Sequence, residues 1–306
     1  MGVVVALLMV PLTGFAAISV DVAAMYSERQ QLQTGADAGA LAIAQACAAG
    51  SCGTTGVTAQ TFAASNLNSG TSTTTVTLKP DTANPSSVTV KNSGVRQHLF
   101  APILGAVATK TIITDATVGW GTPTGGTGAL PLTFNKCEFD AQTGGGVPSD
   151  TIERTILFSK TSATSCTKHS NFVPGGFAWV EVNSGTCNRA SAVTGVLSQL
   201  ESDPGNSPPS SCSNADFLKL RNTTVLLPIF DVYGGTGNNA WYRVYGYAAF
   251  KITGYYFAGS YNAGTPCSGS ERCIRGYFTK MTDRAATFTY GAGAPQLGAG
   301  VVSLTE

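Results

Sequence analysis

The chain has 306 residues, of which 18 are Lys or Arg and 17 are Asp or Glu, giving a formal net charge of +1. Charged residues make up 11% of it, against roughly 25% in an ordinary soluble domain. No basic run or aromatic-plus-basic stripe occurs, which excludes nucleic acid as an electrostatically recruited partner. With 36 Gly, 8 Cys, 14 Phe, 10 Tyr and 3 Trp, the composition excludes a disordered tail and favours strands and turns.

Residues 2–20 hold no charged side chain. That run of 20 − 2 + 1 = 19 positions is close to the ~20 apolar residues needed to cross hydrocarbon as a helix, so residues 1–20 are predicted as a transmembrane segment. A cleaved secretory signal is the competing reading, because Gly14, Ala16 and Ala17 resemble a cleavage region. Such a signal opens on basic residues and has an apolar core of about 7–15 residues, whereas no Lys or Arg precedes Arg29. The helical pattern also runs on: Val22, Met25, Arg29, Leu32, Ala36, Gly39, Ile43 and Ala46 fall at alternating steps of three and four. A retained anchor is therefore the reading adopted, continuing into a stalk helix that ends near Ala49.

With no basic flank, the positive-inside rule gives no orientation. The cysteines give one. Cys47, Cys52, Cys137, Cys166, Cys187, Cys212, Cys267 and Cys273 all follow the apolar run, and disulfides persist mainly outside the cytoplasm. The body of the protein is thus read as exported. No CxxC pair occurs, and His98 and His169 lack zinc-ligand spacing. Short loops favour Cys47 with Cys52 and Cys267 with Cys273; Cys137 with Cys166 and Cys187 with Cys212 follow from order alone, and spacing does not choose among the alternatives.

Next come a predicted short helix at 57–67, a hairpin of strands at 75–79 and 87–91, a helix at 95–104 and a β-branched strand at 110–120. This small sheet packed on the long helix forms an α/β unit over residues 21–122. Residues 121–128 (GTPTGGTG) read as a turn-rich linker, since Gly and Pro disfavour helix and central strand. Beyond it, residues 123–306 read as a β-rich, disulfide-stapled domain. Strands are predicted at 131–134, 155–159, 177–182, 223–233, 241–257 and 273–281, with one helix at 191–201. The turn at 234–239 makes a hairpin of two of the strongest strands. The fold class is accordingly α+β.

The segment VVVALLMVPLTGFAAISVDVAAMYSERQQLQTGADAGALAIAQAC, with Asp21 after the apolar run, then Arg29, Leu32, Gln33 and Ala36-Asp37-Ala38, resembles the N-terminal segment of Tad (tight adherence, Flp-type) pilus assembly proteins of the TadG-related and TadE-like group. Residues 99–119 (LFAPILGAVATKTIITDATVG) are similar to the segment that follows in those proteins, as are 174–182, 227–250 and 272–278 to their C-terminal region. The resemblance implies a pilin-like unit and a single-pass membrane protein with an extracytoplasmic domain, working with other pilus or secretion-system subunits and open to incorporation in the fibre. It implies no catalysis, cofactor or small-molecule substrate. Larger members carry a von Willebrand factor A domain, but no DxSxS motif occurs in this chain.

Within the stalk, Asp21 is read either as an interfacial residue where the helix meets water or as a partner for a neighbouring subunit's cation. Arg29 breaks the apolar stripe. Gly35 and Gly39 form a small-xxx-small pair that permits close helix approach, read as packing on the chain's own sheet rather than as dimerisation. Ser165 and Lys168 match S-x-x-K without the K-T-G that a nucleophile of that class requires, and the loop 231–239 lacks the alternating carboxylates of a calcium loop. No metal is expected. The aromatic run 241–261 suggests an alternative to pilus assembly, a membrane-tethered adhesin.

Overall fold

The computed structural model describes residues 2–68, 70–80, 82, 86–105, 107–149, 151–159, 175–183, 185–191, 199–284, 287–291 and 293–305, with the backbone alone at 2–7, 10, 104, 189–191, 258 and 284. It is α+β and divides into two compact units. Unit 1 comprises residues 1–119 and 303–306, and unit 2 comprises 120–302, so unit 2 is inserted between two stretches of unit 1.

In unit 1 a single helix, α1 (Gly2–Ala48), runs for 47 residues, or ~70 Å at 1.5 Å per residue. Among the described residues no helix is long and apolar enough to cross a membrane. The structure therefore does not show the transmembrane segment predicted at 1–20.

The second helix, α2 (Thr55–Asn66), lies on α1 through the buried Ala59 and Ala63. Strands β1 (Ser72–Lys79) and β2 (Ser87–Gln97) pair antiparallel from Ser72↔Gly94 to Lys79↔Ser87. The first half of β3 (Thr109–Gly128) pairs with β2 from Gln97↔Thr109 to Ser87↔Gly119. Alternation along β2 and β3 buries Val88, Val90, Asn92, Ile112, Thr114, Ala116 and Val118, as period-two side chains on a half-covered sheet must. The helix α1 crosses β2, where Asn92 Nδ2 donates to the Leu32 carbonyl at 3.0 Å. The helix predicted at 95–104 does not form. Val95 and Gln97 continue the β2 ladder opposite Thr111 and Thr109, and only a 3-10 turn, Ala101–Leu104, remains.

Unit 2 is built on a sheet ordered β5 (Arg154–Leu157), β12 (Cys273–Thr279), β10 (Trp241–Ala258), β9 (Thr224–Gly234), β4 (Leu132–Asn135) and β6 (Phe177–Trp179). The spine is β10, which also pairs with β8 (Gln199–Glu201) and β11 (Tyr261–Ala263). Both faces of the sheet are buried. Val225, Leu227 and Ile229 of β9 join Phe250 and Ile252 in one core, while Leu226 and Phe230 join Tyr242, Val244, Tyr247 and Ala249 in another. Register shifts between Val244 and Gly246 and between Ile252 and Gly254 let residues three apart, Val244 with Tyr247 and Ile252 with Tyr255, serve the same face. A β-bulge supplies that extra residue. Pro228, which disfavours a central strand, lies next to the first bulge, opposite Tyr247.

The GTPTGGTG stretch is not a linker but the second half of β3. It pairs with β14 (Phe288–Gly291) and with β7 (Arg189–Ser191). Close approach explains its glycines: a Cβ on Gly121 would meet the Tyr290 ring at 3.1 Å, and one on Gly126 would strike Phe288. In addition β13 (Met281–Arg284) runs parallel to residues 299–302 of β15 (Ala299–Thr305). Two helices complete the unit. In α3 (Lys136–Thr143) the first turn is capped by Asn135, whose side chain accepts from the Cys137 amide at 2.9 Å; α4 (Asn214–Leu220) starts with a capping box of Ser213 and Asp216. The helix predicted at 191–201 is strand at both ends, in β7 and β8, and 192–198 lie outside the described residues.

Disulfides join Cys47 to Cys52, Cys187 to Cys212 and Cys267 to Cys273. Cys137 is also disulfide-bonded, and Cys166 lies outside the described residues.

Candidate assembly surface on the long helix

Asp21 is buried, with 6% of its surface exposed. Its carboxylate accepts from the amides of Leu99 at 2.8 Å, Phe100 at 3.0 Å and Ala101 at 2.8 Å. Those amides open the 3-10 turn Ala101–Leu104, where first-turn N–H groups have no partner within the turn. The loop is closed behind them by the His98 amide donating to the Ala108 carbonyl at 2.9 Å. Burial pushes the Asp21 carboxyl up, but the Leu99, Ala101 and Phe100 amides and the neighbouring His98 together outweigh it, and the group titrates below its ordinary range. Asp21 thus ties a loop of its own chain to α1, a partner not visible in the sequence.

The contribution to stability follows in sign. A carboxyl with a depressed native pKa stabilises fully above its unfolded pKa of about 3.9 and loses that contribution as pH falls through the native value. Asp21→Asn will lower the Tm of unit 1 by several degrees at pH 7, and the gap to the natural chain will narrow below about pH 4. Thermal unfolding of the full chain between pH 2 and pH 7 measures both.

The inward face of α1 follows the stripe read from sequence at Leu32, Ala36, Gly39 and Ile43 but departs from it by one position before Leu32. Asp21, Glu28, Leu32, Ala36, Ala40 and Ile43 are buried, whereas Val22 and Arg29 are exposed. Both inward carboxylates find donors: Asp21 takes the loop amides and Glu28 pairs with Arg96 at 3.6 Å. Glu28 was not anticipated, because a charge is normally placed outside the apolar stripe. Gln33 ties α1 to β3 by donating to the Asp115 carbonyl at 3.0 Å, and it also donates to Asp37 at 2.8 Å. Gly35 and Gly39 meet α2: an added Cβ would lie 3.0 Å from Ala63 Cα at Gly35 and 3.3 Å from Ala59 Cα at Gly39. The pair thus seats a helix of the same unit, and from the sheet Asn92 Nδ2 would lie 3.3 Å from a Cβ on Gly35. On the outward side Arg29 lines a groove of about 400 Å³ with Met25, Tyr26, Lys110 and Ile113.

Residues 1–46 match the Tad family, described as putative Flp pilus-assembly TadE/G-like. The N-terminal segment is thus similar to that of TadE/G-like pilus-assembly proteins. Asp21, Glu28, Arg29, Leu32, Gln33, Gly35 and Gly39 all fall inside the Tad match, which stops one residue before Cys47. The match covers the first part of α1 and leaves the rest of the chain unassigned. No curated protein and no solved structure matches the chain.

Outside the Tad segment the other sequence candidates separate. Much of the aromatic run on β10 is core: Tyr242, Tyr247, Phe250, Tyr255 and Phe257 are buried, Trp241, Tyr245 and Tyr256 are half-buried, and Phe250 packs on Phe134 and Phe278 with ring centroids 4.8 and 5.0 Å away. Asp231 is engaged by Arg243 in a two-pronged pair, Nε to Oδ1 at 2.9 Å and Nη2 to Oδ2 at 2.6 Å. That carboxylate is therefore satisfied across the hairpin. Among the described residues no group of three or more His, Cys, Asp or Glu is arranged to hold a metal. Ser165, Lys168 and His169 lie outside the described residues.

Proposed function

We propose that the chain is a structural or assembly component of a Tad-type pilus, in the manner of a minor pilin, and that it acts in surface adherence. The N-terminal part of α1 holds it at the cell membrane and unit 2 is carried outside. The observation that carries the reading is the family match over 1–46, borne by a helix whose outer end is apolar. Leu8, Leu12, Phe15, Ile18 and Val20 are all exposed, no charged residue precedes Asp21, and such a surface left bare in water is unfavourable. The disulfides support an oxidising location for the body. The role is non-enzymatic, its partners are other pilus or secretion-system subunits, and no small-molecule substrate is involved. Burial of Tyr247, Phe250, Tyr255 and Phe257 weakens the case for a separate adhesin.

Deleting the gene, with complementation by the full chain, is expected to abolish or shorten surface pili and reduce adherence. Unchanged pilus number, length and adherence would overturn the reading. Lost adherence with intact pili would replace it with the tethered adhesin.

A further inference from the structure

We propose that the loop following β2 is a second membrane contact, which dips its apolar side chains into the bilayer interface beside α1. The inference rests on the membrane attachment proposed above.

Residues 99–109 (LFAPILGAVAT) contain no charged side chain. Within them Leu99 is 63%, Phe100 37%, Ile103 79% and Val107 69% exposed. Four large apolar groups displayed on one short loop are unusual on a surface that faces only water. The loop is also fixed in level. Three backbone amides bind it to Asp21, and Asp21 is the first charged residue of the chain, the point at which α1 passes from uncharged to charged sequence.

A helix held in hydrocarbon leaves it where its charged residues begin, so a bilayer around the outer end of α1 has its surface near Asp21 and reaches the loop bonded there. Exposed apolar side chains of α1 lie at that level too, with Ile18, Val20 and Val22 to either side of Asp21 in the sequence. Cations flank it as well: Lys110 ends the uncharged stretch, and Arg29 stands eight residues along α1 from Asp21, ~12 Å farther. Both suit anionic headgroups above an apolar insertion. The carboxylate of Asp21 is satisfied by the loop itself and does not need water, so it can sit at the interface without the cost of an unpaired charge. The occupant is thus a lipid surface, and the loop acts as a collar that sets how far α1 enters.

The test uses the full chain reconstituted in vesicles of phosphatidylethanolamine and phosphatidylglycerol, with the photo-crosslinker p-benzoyl-phenylalanine replacing Phe15, Ile103, Val107 or Val57 in turn. After irradiation, mass spectrometry is expected to find lipid adducts at 15, 103 and 107 and none at 57, an exposed position on α2. Adducts at 15 without any at 103 and 107 overturn the loop contact while the anchored pilus component stands. Adducts at none of the four overturn both. Crosslinks from 103 to a second copy of the chain overturn it in favour of a subunit interface.

Discussion

Phe250→Ala will destabilise unit 2 by about 3–5 kcal/mol. The side chain is fully buried on β10, between β9 and β12, with Phe134 and Phe278 against it. Neighbouring Phe139 is itself packed on Phe278 at 4.9 Å, so the rings around the vacated space are held from behind. Truncation leaves a cavity that pleated backbone on both sides cannot close, which is the circumstance in which the loss exceeds simple transfer. For a unit of 302 − 120 + 1 = 183 residues the corresponding fall in Tm is about 6–20 °C. Thermal unfolding of the full chain, followed by calorimetry and in parallel by near-ultraviolet circular dichroism, to which packed aromatics contribute, measures it. A loss below about 1 kcal/mol would show that this cluster is not the centre of the unit's core.

Gly35→Leu will separate α1 from α2 and cost unit 1 about 1–3 kcal/mol. Even a methyl group at Gly35 would lie 3.0 Å from Ala63 Cα and 3.2 Å from the Phe62 carbonyl oxygen, and neither atom can turn aside as a side-chain end can. Leucine therefore has to push the α2 backbone away. Gly56 of α2 has nothing within 4 Å of an added Cβ, so Gly56→Ala serves as the control and will be neutral or stabilising by up to ~1 kcal/mol through helix propensity. Hydrogen exchange is expected to speed up across Thr55–Asn66 in the first variant alone. Unchanged exchange together with failed pilus assembly would instead make this glycine face a contact between subunits.

The parts of the fold that are legible in the sequence are those where local pattern and tertiary demand agree. The β1–β2 hairpin alternates with period two and is half buried. The 223–233 and 241–257 runs are apolar on both faces and lie at the middle of a sheet, joined by a glycine turn. Three features are not legible. The 121–128 stretch has the composition of a linker, but its glycines answer to the side chains of β14, which is distant in sequence. Residues 95–97 show helical spacing, yet an open ladder on β3 captures them. The bulges that hold Val244 and Tyr247 on one face erase the period that would have revealed a two-sided core.

For the candidate surface, composition singled out Asp21 and the glycine pair but could not identify their partners, since the amides of Leu99 to Ala101 and the α2 backbone carry no residue-type signal. The cue for α4 was present in the capping-box pair Ser213 and Asp216.

The insertion of unit 2 has a mechanical consequence. It leaves unit 1 after residue 119 and returns at 303, and near that return Thr305 Oγ1 donates to the Thr117 carbonyl at 3.4 Å. Only the peptide link at 119–120 joins unit 2 covalently to α1, whereas residues 303–305 are held in unit 1 by non-covalent contacts, so under load this returning segment would peel away before the covalent link is strained.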